Sequence, residues 1–230
     1  MKKLLIFLLS LSMLFSLSAC GGEEQPPVAP EQPPVEQPPV QQQEELPEEP
    51  VKEFSLGVVE DGVYHSDFLS MGFALPEGWE FYTREQIMEF NNAAYDTAGE
   101  EYQEIVESAD VVFDMYASGP AGDSVNVTLE KIDEATLEAL DIKENFALLE
   151  DTFRTSFENM GLSDIAFDIT DISVDGRDLP AMLLTGKIEG VEMYQLQFNA
   201  KYPGYLAAVT AVTLYEDGTQ QLLDGIYWTE

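Results

Sequence analysis

Between Leu179 and Leu214 the sequence leaves room for little except antiparallel sheet. Three strand-length segments, Leu179 to Ile188, Val191 to Tyr202 and Tyr205 to Leu214, are separated only by Glu189-Gly190 and Pro203-Gly204. Two residues suffice for a hairpin, whereas a parallel neighbour needs a crossover of about a dozen or more. In Tyr205-Leu-Ala-Ala-Val-Thr-Ala-Val-Thr213 both faces are apolar or small. A strand of that kind must be covered on both sides, which places it at the centre of its sheet.

The cover has to come from helices elsewhere in the chain. Between Asp141 and Met160 the residues Ile142, Phe146, Leu149, Phe153, Phe157 and Met160 recur every three or four positions, forming one apolar stripe. Asp141 is placed to cap this helix, and Gly161 falls where a left-handed terminating residue is expected. Thr83-Arg84-Glu85-Gln86 has the capping-box pattern and predicts a helix running towards Tyr95. A further acidic helix is expected near Glu100 to Ser108, and a short closing one over Asp217 to Leu223.

The remaining segments read as strands. Val58 to His65 bends at Asp61-Gly62, a hairpin turn, and Gly72 to Leu75 follows. Val111 to Ala117 and Ser124 to Lys131 flank the loop Gly119-Pro120-Ala121-Gly122-Asp123. In the second, Val125, Val127 and Leu129 alternate with Asn126, Thr128 and Glu130. Ile165, Phe167 and Ile169 alternate too, then the phase shifts to Ile172 and Val174, which predicts a bulge or bend near Thr170-Asp171. Asp175-Gly176 is the next turn. Together these segments predict an α+β domain from Phe54 to Glu230: a largely antiparallel sheet with helices on both faces, around a single core.

Residues 20–53 have a different character. Glu24-Gln-Pro-Pro-Val28, Glu31-Gln-Pro-Pro-Val35 and Glu36-Gln-Pro-Pro-Val40 repeat one unit, and no aromatic residue occurs from Gly21 to Glu53. Paired prolines fix φ and remove donors, and too little apolar surface is present to offset ordering. The expectation is a disordered stalk in coil or polyproline II, with a fully extended reach on the order of 100 Å. Recognition by proline-reading modules is the rival expectation.

Residues 1–19 read as a secretory leader. Lys2 and Lys3 precede an apolar run from Leu4 to Leu17, shorter than the roughly 20 residues a membrane span needs, and a polar segment follows at once. Leu17-Ser18-Ala19-Cys20 resembles the bacterial lipobox. The resemblance implies cleavage before Cys20 and a diacylglyceryl thioether on its sulfur, with palmitate as an acyl chain. Two acyl chains give stable anchoring where one does not. Cys20 is the only cysteine, so an internal disulfide is excluded. The expected location is the extracytoplasmic face of the cell membrane, in a Gram-positive cell, with membrane lipid as the partner of Cys20.

A resemblance also covers most of Gly57 to Trp228. The run GVVEDGVYHSDFLSMGFALPEGWEFYTREQI looks like the opening of a group of uncharacterised bacterial lipoproteins. The order of long helix, antiparallel strands, YLAAVTAVT strand, short helix and final LDGIYW is similar to the PsbP-like fold. That fold is named for an accessory protein of the oxygen-evolving complex and is shared with a nuclear-import factor that binds the Ran GTPase. The resemblance implies an α/β/α sandwich with an accessory or binding role, and it transfers no catalytic residue.

Charge removes one class of partner. Against 44 acidic residues there are 10 basic ones, for a net charge of −34. Beyond the leader the cations are Lys52, Arg84, Lys131, Lys143, Arg154, Arg177, Lys187 and Lys201, scattered rather than clustered, so nucleic acid is excluded. The same charge repels anionic lipid, leaving attachment to the acyl chains.

Chemistry is sparse. His65 is the only histidine and reads as a surface or hydrogen-bonded residue. No G-x-S-x-G elbow or phosphate-binding glycine loop occurs. Asp168, Asp171, Asp175 and Asp178 resemble a calcium loop faintly, without its spacing or terminal glutamate. Asn126-Val-Thr128 matches the glycosylation triplet but lies mid-strand. Phe73, Trp79, Phe81 and Tyr82 are expected to fill the core beneath Pro76-Glu77-Gly78, with a ligand pocket as the alternative. No catalytic residue, cofactor or metal site is assigned. The sequence therefore favours a non-enzymatic binding or accessory domain whose partner is an extracytoplasmic protein or small ligand. The alternative is a cell-wall or glycan hydrolase using paired carboxylates.

Overall fold

The computed structural model describes residues 53–90 and 110–229, and their strands divide between two antiparallel sheets. The smaller contains β1 (Val58–Glu60), β2 (Val63–Ser66), β3 (Met71–Ala74) and β11 (Ile226–Trp228), in that spatial order. The larger runs β4 (Glu80–Phe81), β5 (Val111–Ser118), β6 (Ser124–Lys131), β10 (Tyr205–Leu214), β9 (Val191–Tyr202), β8 (Arg177–Ile188) and β7 (Leu162–Val174). The class is α+β. As its composition demands, β10 lies at the middle of the seven strands, paired with β6 on one side and β9 on the other.

The tight connections follow their sequences. Asp61-Gly62, Asp175-Gly176 and Glu189-Gly190 all take positive φ at both positions, from 43° to 83°. That is the two-residue hairpin whose twist matches the flanking strands.

Among the described residues four α-helices pack on this frame: α1 (Arg84–Phe90), α2 (Glu134–Ala139), α3 (Ile142–Asn159) and α4 (Thr219–Leu223). The Asp141 side chain accepts from the Glu144 N–H and caps α3. At the other end Gly161 has φ +94°. The predicted stripe is the buried one: Phe146, Phe153 and Phe157 meet Met182, Leu184, Met193 and Val212 on one face of the large sheet. The opposite face carries the main core. There Val125, Val127, Leu129, Phe198, Val209 and Ala211 meet Tyr64 and Phe73 of the small sheet and Leu222 and Leu223 of α4. Helices thus lie on both faces, and on one of them the small sheet shares the cover.

One expectation is corrected. β7 has no bulge at Thr170-Asp171: its pairing to β8 is unbroken from Ala166↔Thr185 to Val174↔Arg177. The register breaks earlier, between Ser163 and Ala166, where Asp164 has φ 53°. The phase shift has another origin. Ile165, Phe167 and Ile169 pack under α3, whereas Ile172 and Val174 face the core between the sheets. The strand remains regular while the covered side changes along its length. The alternation in β6 also differs from a half-solvated strand, because Asn126 and Thr128 are buried along with the valines.

The sheets are joined by polar contacts as well as by packing. The Trp228 indole N–H donates to Val174 O at 2.9 Å, its backbone N–H donates to Asp175 Oδ2 at 3.0 Å, and the Tyr202 hydroxyl donates to Leu69 O at 3.0 Å. The helix expected towards Tyr95 is described only to Phe90, and the one near Glu100 to Ser108 lies outside the described residues.

Candidate ligand-binding cavity

The site begins with an irregularity in β5. Its pairing with β6 shifts between Phe113 and Met115, so that Asp114 is the extra residue of a β-bulge. The bulge lets Phe113 and Tyr116 share one cluster with Ile87, while Val112 and Met115 join the core between the sheets. Asp114, only 3 % exposed, meets the small sheet. Its Oδ2 accepts from the Tyr64 hydroxyl at 2.5 Å, and its Oδ1 accepts from the Gly57 N–H at 2.7 Å.

Gly57 holds the third member. Its carbonyl accepts from Arg84 Nη2. The arginine departs from the start of α1, whose capping box forms as the sequence predicts: Thr83 N–H donates to Gln86 Oε1 at 2.8 Å, and Gln86 N–H faces Thr83 Oγ1 at 3.4 Å. A side chain at position 57 is not tolerated sterically, since a Cβ there would sit 2.3 Å from Tyr64 Cε2.

The electrostatics follow from burial. Loss of solvent pushes the Asp114 carboxyl above its ordinary value, opposed by the Tyr64 hydroxyl, the Gly57 N–H and the charge of Arg84. Burial and the nearby Asp114 hold the Tyr64 phenol well above the usual tyrosine value. Tyr116, beside them, is pushed up to about 12, chiefly by burial.

A cavity of about 300 Å³ opens beside this group, walled by Phe81, Tyr82, Ile87, Met115 and Tyr116 and edged by Val59 and Thr83. Tyr82 is fixed there by donating its N–H to Tyr116 O at 2.8 Å, with the two rings 4.7 Å apart. Arg84 lines this cavity, and its buried Nη1 has no hydrogen-bond partner among the described residues. The size lies at the small end of ligand pockets, which run from about 300 to 1,000 Å³. A second hollow of about 210 Å³ lies among Pro76, Trp79, Asp123, Thr213, Gln221 and Leu222. Its carboxylate is already engaged, accepting the Leu214 N–H at 2.8 Å.

The residues singled out in the sequence fall in several places. Phe73 is core, while Trp79 and Phe81 pack against it. Phe81 and Tyr82 also line the larger cavity and Trp79 the smaller, so the core and pocket readings both apply in part. His65 lies on β2 with its Nδ1 3.5 Å from the Tyr227 hydroxyl, away from either cavity. Asp171 pairs with Lys143, and Asp175 accepts the Trp228 N–H. Among the described residues no group of three or more acids, histidines or cysteines is placed to hold a metal ion. Each of the two cavities has one lining carboxylate, so neither presents the pair a glycosidase needs. Cys20 lies outside the described residues.

Asp114, Arg84 and Gly57 were not legible as a site. The one available signal was a lone acid inside the apolar run Val111-Val-Phe-Asp-Met-Tyr-Ala117.

No protein-family model matches the chain, and no curated protein matches it significantly. Among solved structures it is similar to LpqN, described as involved in cell envelope biogenesis of Mycobacterium tuberculosis. The identity is 13 %, over 70 % of this chain and 83 % of that one, with a TM-score of 0.32. A likeness that loose carries no argument about what this chain does. Among the described residues no helix is long and apolar enough to cross a membrane.

Proposed function

We propose that this chain is a lipid-anchored extracytoplasmic protein whose domain binds a small ligand without transforming it. In this reading residues 1–19 are a leader, Cys20 carries the lipid, residues 20–53 are the stalk and residues 54–230 form the domain. The lipobox-like Leu17-Ser18-Ala19-Cys20 supports the anchor, and the resemblance to PsbP-like domains supports an accessory role.

The observation that carries the binding role is the cavity beside Arg84. It combines a donor that has no partner among the described residues with aromatic and aliphatic walls. Recognition there requires only a fixed donor and a shaped wall; covalent catalysis would require an activated nucleophile as well.

Two experiments test the reading. Metabolic labelling with a palmitate analogue should mark the wild-type protein and not Cys20→Ser; equal labelling of both refutes the anchor. Small-molecule fragments that raise the melting temperature should lose their effect in Ile87→Trp, which fills the cavity. Retention of every such effect in a folded Ile87→Trp protein refutes the cavity as the ligand site.

A further inference from the structure

Several cations among the described residues already have partners. Lys143 pairs with Asp171, Arg154 with Glu150, and Lys187 with both Asp164 and Glu192. Arg177 lies over the Trp228 ring at 4.3 Å. Among the described residues Arg84 forms no salt bridge; its Nη2 donates to the Gly57 carbonyl, and its Nη1 is buried without an acceptor. A buried charged donor left unsatisfied is costly, more so than a neutral one. The charge of Arg84 acts on Asp114, yet the Asp114 oxygens accept from Tyr64 and Gly57 and no hydrogen bond joins them to Nη1.

We propose that the cavity takes a small monocarboxylate with an apolar or aromatic body, its carboxylate seated on Arg84 Nη1 and its body between Tyr82, Ile87 and Met115. This rests on the reading of that cavity as the ligand site. One guanidinium with one unpartnered nitrogen matches a single negative charge, and charge-assisted bonds of this kind are about twice as strong as neutral ones. The ring pair Tyr82–Tyr116 and the Ile87 side chain supply the apolar wall. The net charge of −34 opposes any anion at long range. At physiological ionic strength that field is screened beyond about 8 Å, whereas a contact inside the cavity is not.

Benzoate and its neutral isostere benzamide are the probes, titrated by ligand-observed NMR against the intact lipidated chain in detergent. Ile87→Trp serves as the blank for partition into micelles. Benzoate should bind at least tenfold more tightly than benzamide, and Arg84→Met should remove that preference while the protein keeps its circular dichroism. Arg84→Lys should retain part of it, which separates loss of charge from loss of fold. Equal binding of the two probes by the wild type overturns the carboxylate assignment and leaves the cavity as a ligand site. A benzoate preference that survives in Arg84→Met or in Ile87→Trp overturns the assignment to this wall. No binding of either probe above the Ile87→Trp blank overturns both the carboxylate and the ligand-site readings.

Discussion

Tyr64 and Asp114 meet at 2.5 Å between the two sheets, the phenol of β2 donating to a carboxylate that a bulge in β5 has turned towards it. Both side chains are almost wholly buried. Burial and Asp114 together raise the pKa of the phenol well above the ordinary tyrosine value, so the phenol is the donor at neutral pH. The donor role is therefore fixed, and the carboxyl is the titrating partner. The contact ties the segment at Gly57, the small sheet and the large sheet to one side chain.

Stability should carry the signature of Asp114. Its folded pKa is raised above the unfolded value, so the native state holds the proton over a range where the unfolded chain has released it. The group's contribution is complete below the ordinary carboxylate range and is lost as pH rises through the folded value. Asp114→Asn can keep both bonds: its carbonyl accepts from Gly57 N–H, and its amide donates to a Tyr64 oxygen whose proton swings away. The unfolding free energy of the wild type relative to Asp114→Asn should fall as pH rises above the ordinary carboxylate range, with a slope of no more than about 1.4 kcal/mol per pH unit. Urea titrations of both proteins across that range measure it, and parallel pH curves would contradict the assignment.

Two glycines should fail for different reasons. At Gly57 a methyl collides with the Tyr64 ring, and relieving the collision disturbs the Asp114 contact. Gly57→Ala should cost about 1–3 kcal/mol as overpacking and should weaken ligand binding. At Gly62 nothing lies within 4 Å of a new Cβ, but φ is +78°. Gly62→Ala should cost about 1 kcal/mol of backbone strain and leave binding unchanged. Denaturant midpoints and one binding titration separate the two; a binding defect in Gly62→Ala would show that the hairpin, not the Tyr64 contact, shapes the site.

Gln195 offers a gain rather than a loss. It is 1 % exposed in β9, beside Leu184 and Val212, and among the described residues neither the nitrogen nor the oxygen of its amide has a partner. Replacing a buried unsatisfied group with an apolar one of similar shape removes a penalty of about 1–3 kcal/mol. Gln195→Met should raise the melting temperature. A fall would mean that the amide is satisfied by a water or ligand on that face of the sheet.

The long helix should discriminate sharply between its faces. Phe157 is fully buried against the large sheet, and Phe157→Ala should cost about 3–5 kcal/mol. Leu148, 75 % exposed on the same helix, should tolerate alanine within about 0.5 kcal/mol. Asp141→Ala should cost about 1 kcal/mol through loss of the cap to Glu144. Thermal unfolding of the three variants tests that order, and comparable losses at 148 and 157 would contradict the packing.

Local physics made much of this protein readable in advance. Periodicity and turn chemistry are properties of neighbouring residues, so the helix from Ile142, its Asp141 cap, the hairpins at Asp61, Asp175 and Glu189, and the central position of Tyr205 to Leu214 all follow from the sequence. The side of a strand that is covered depends on partners distant in the chain, and only the tertiary structure decided that. It turned the phase shift at Ile172 into a change of cover rather than a bulge, and it separated the short strands into a second sheet. The cavity belongs to the same category. Tyr64, Arg84 and Asp114 come from three elements and Gly57 from the segment before β1, and no spacing rule relates them. They meet because a β-bulge directs one carboxylate between two sheets, where burial makes every remaining donor seek a partner.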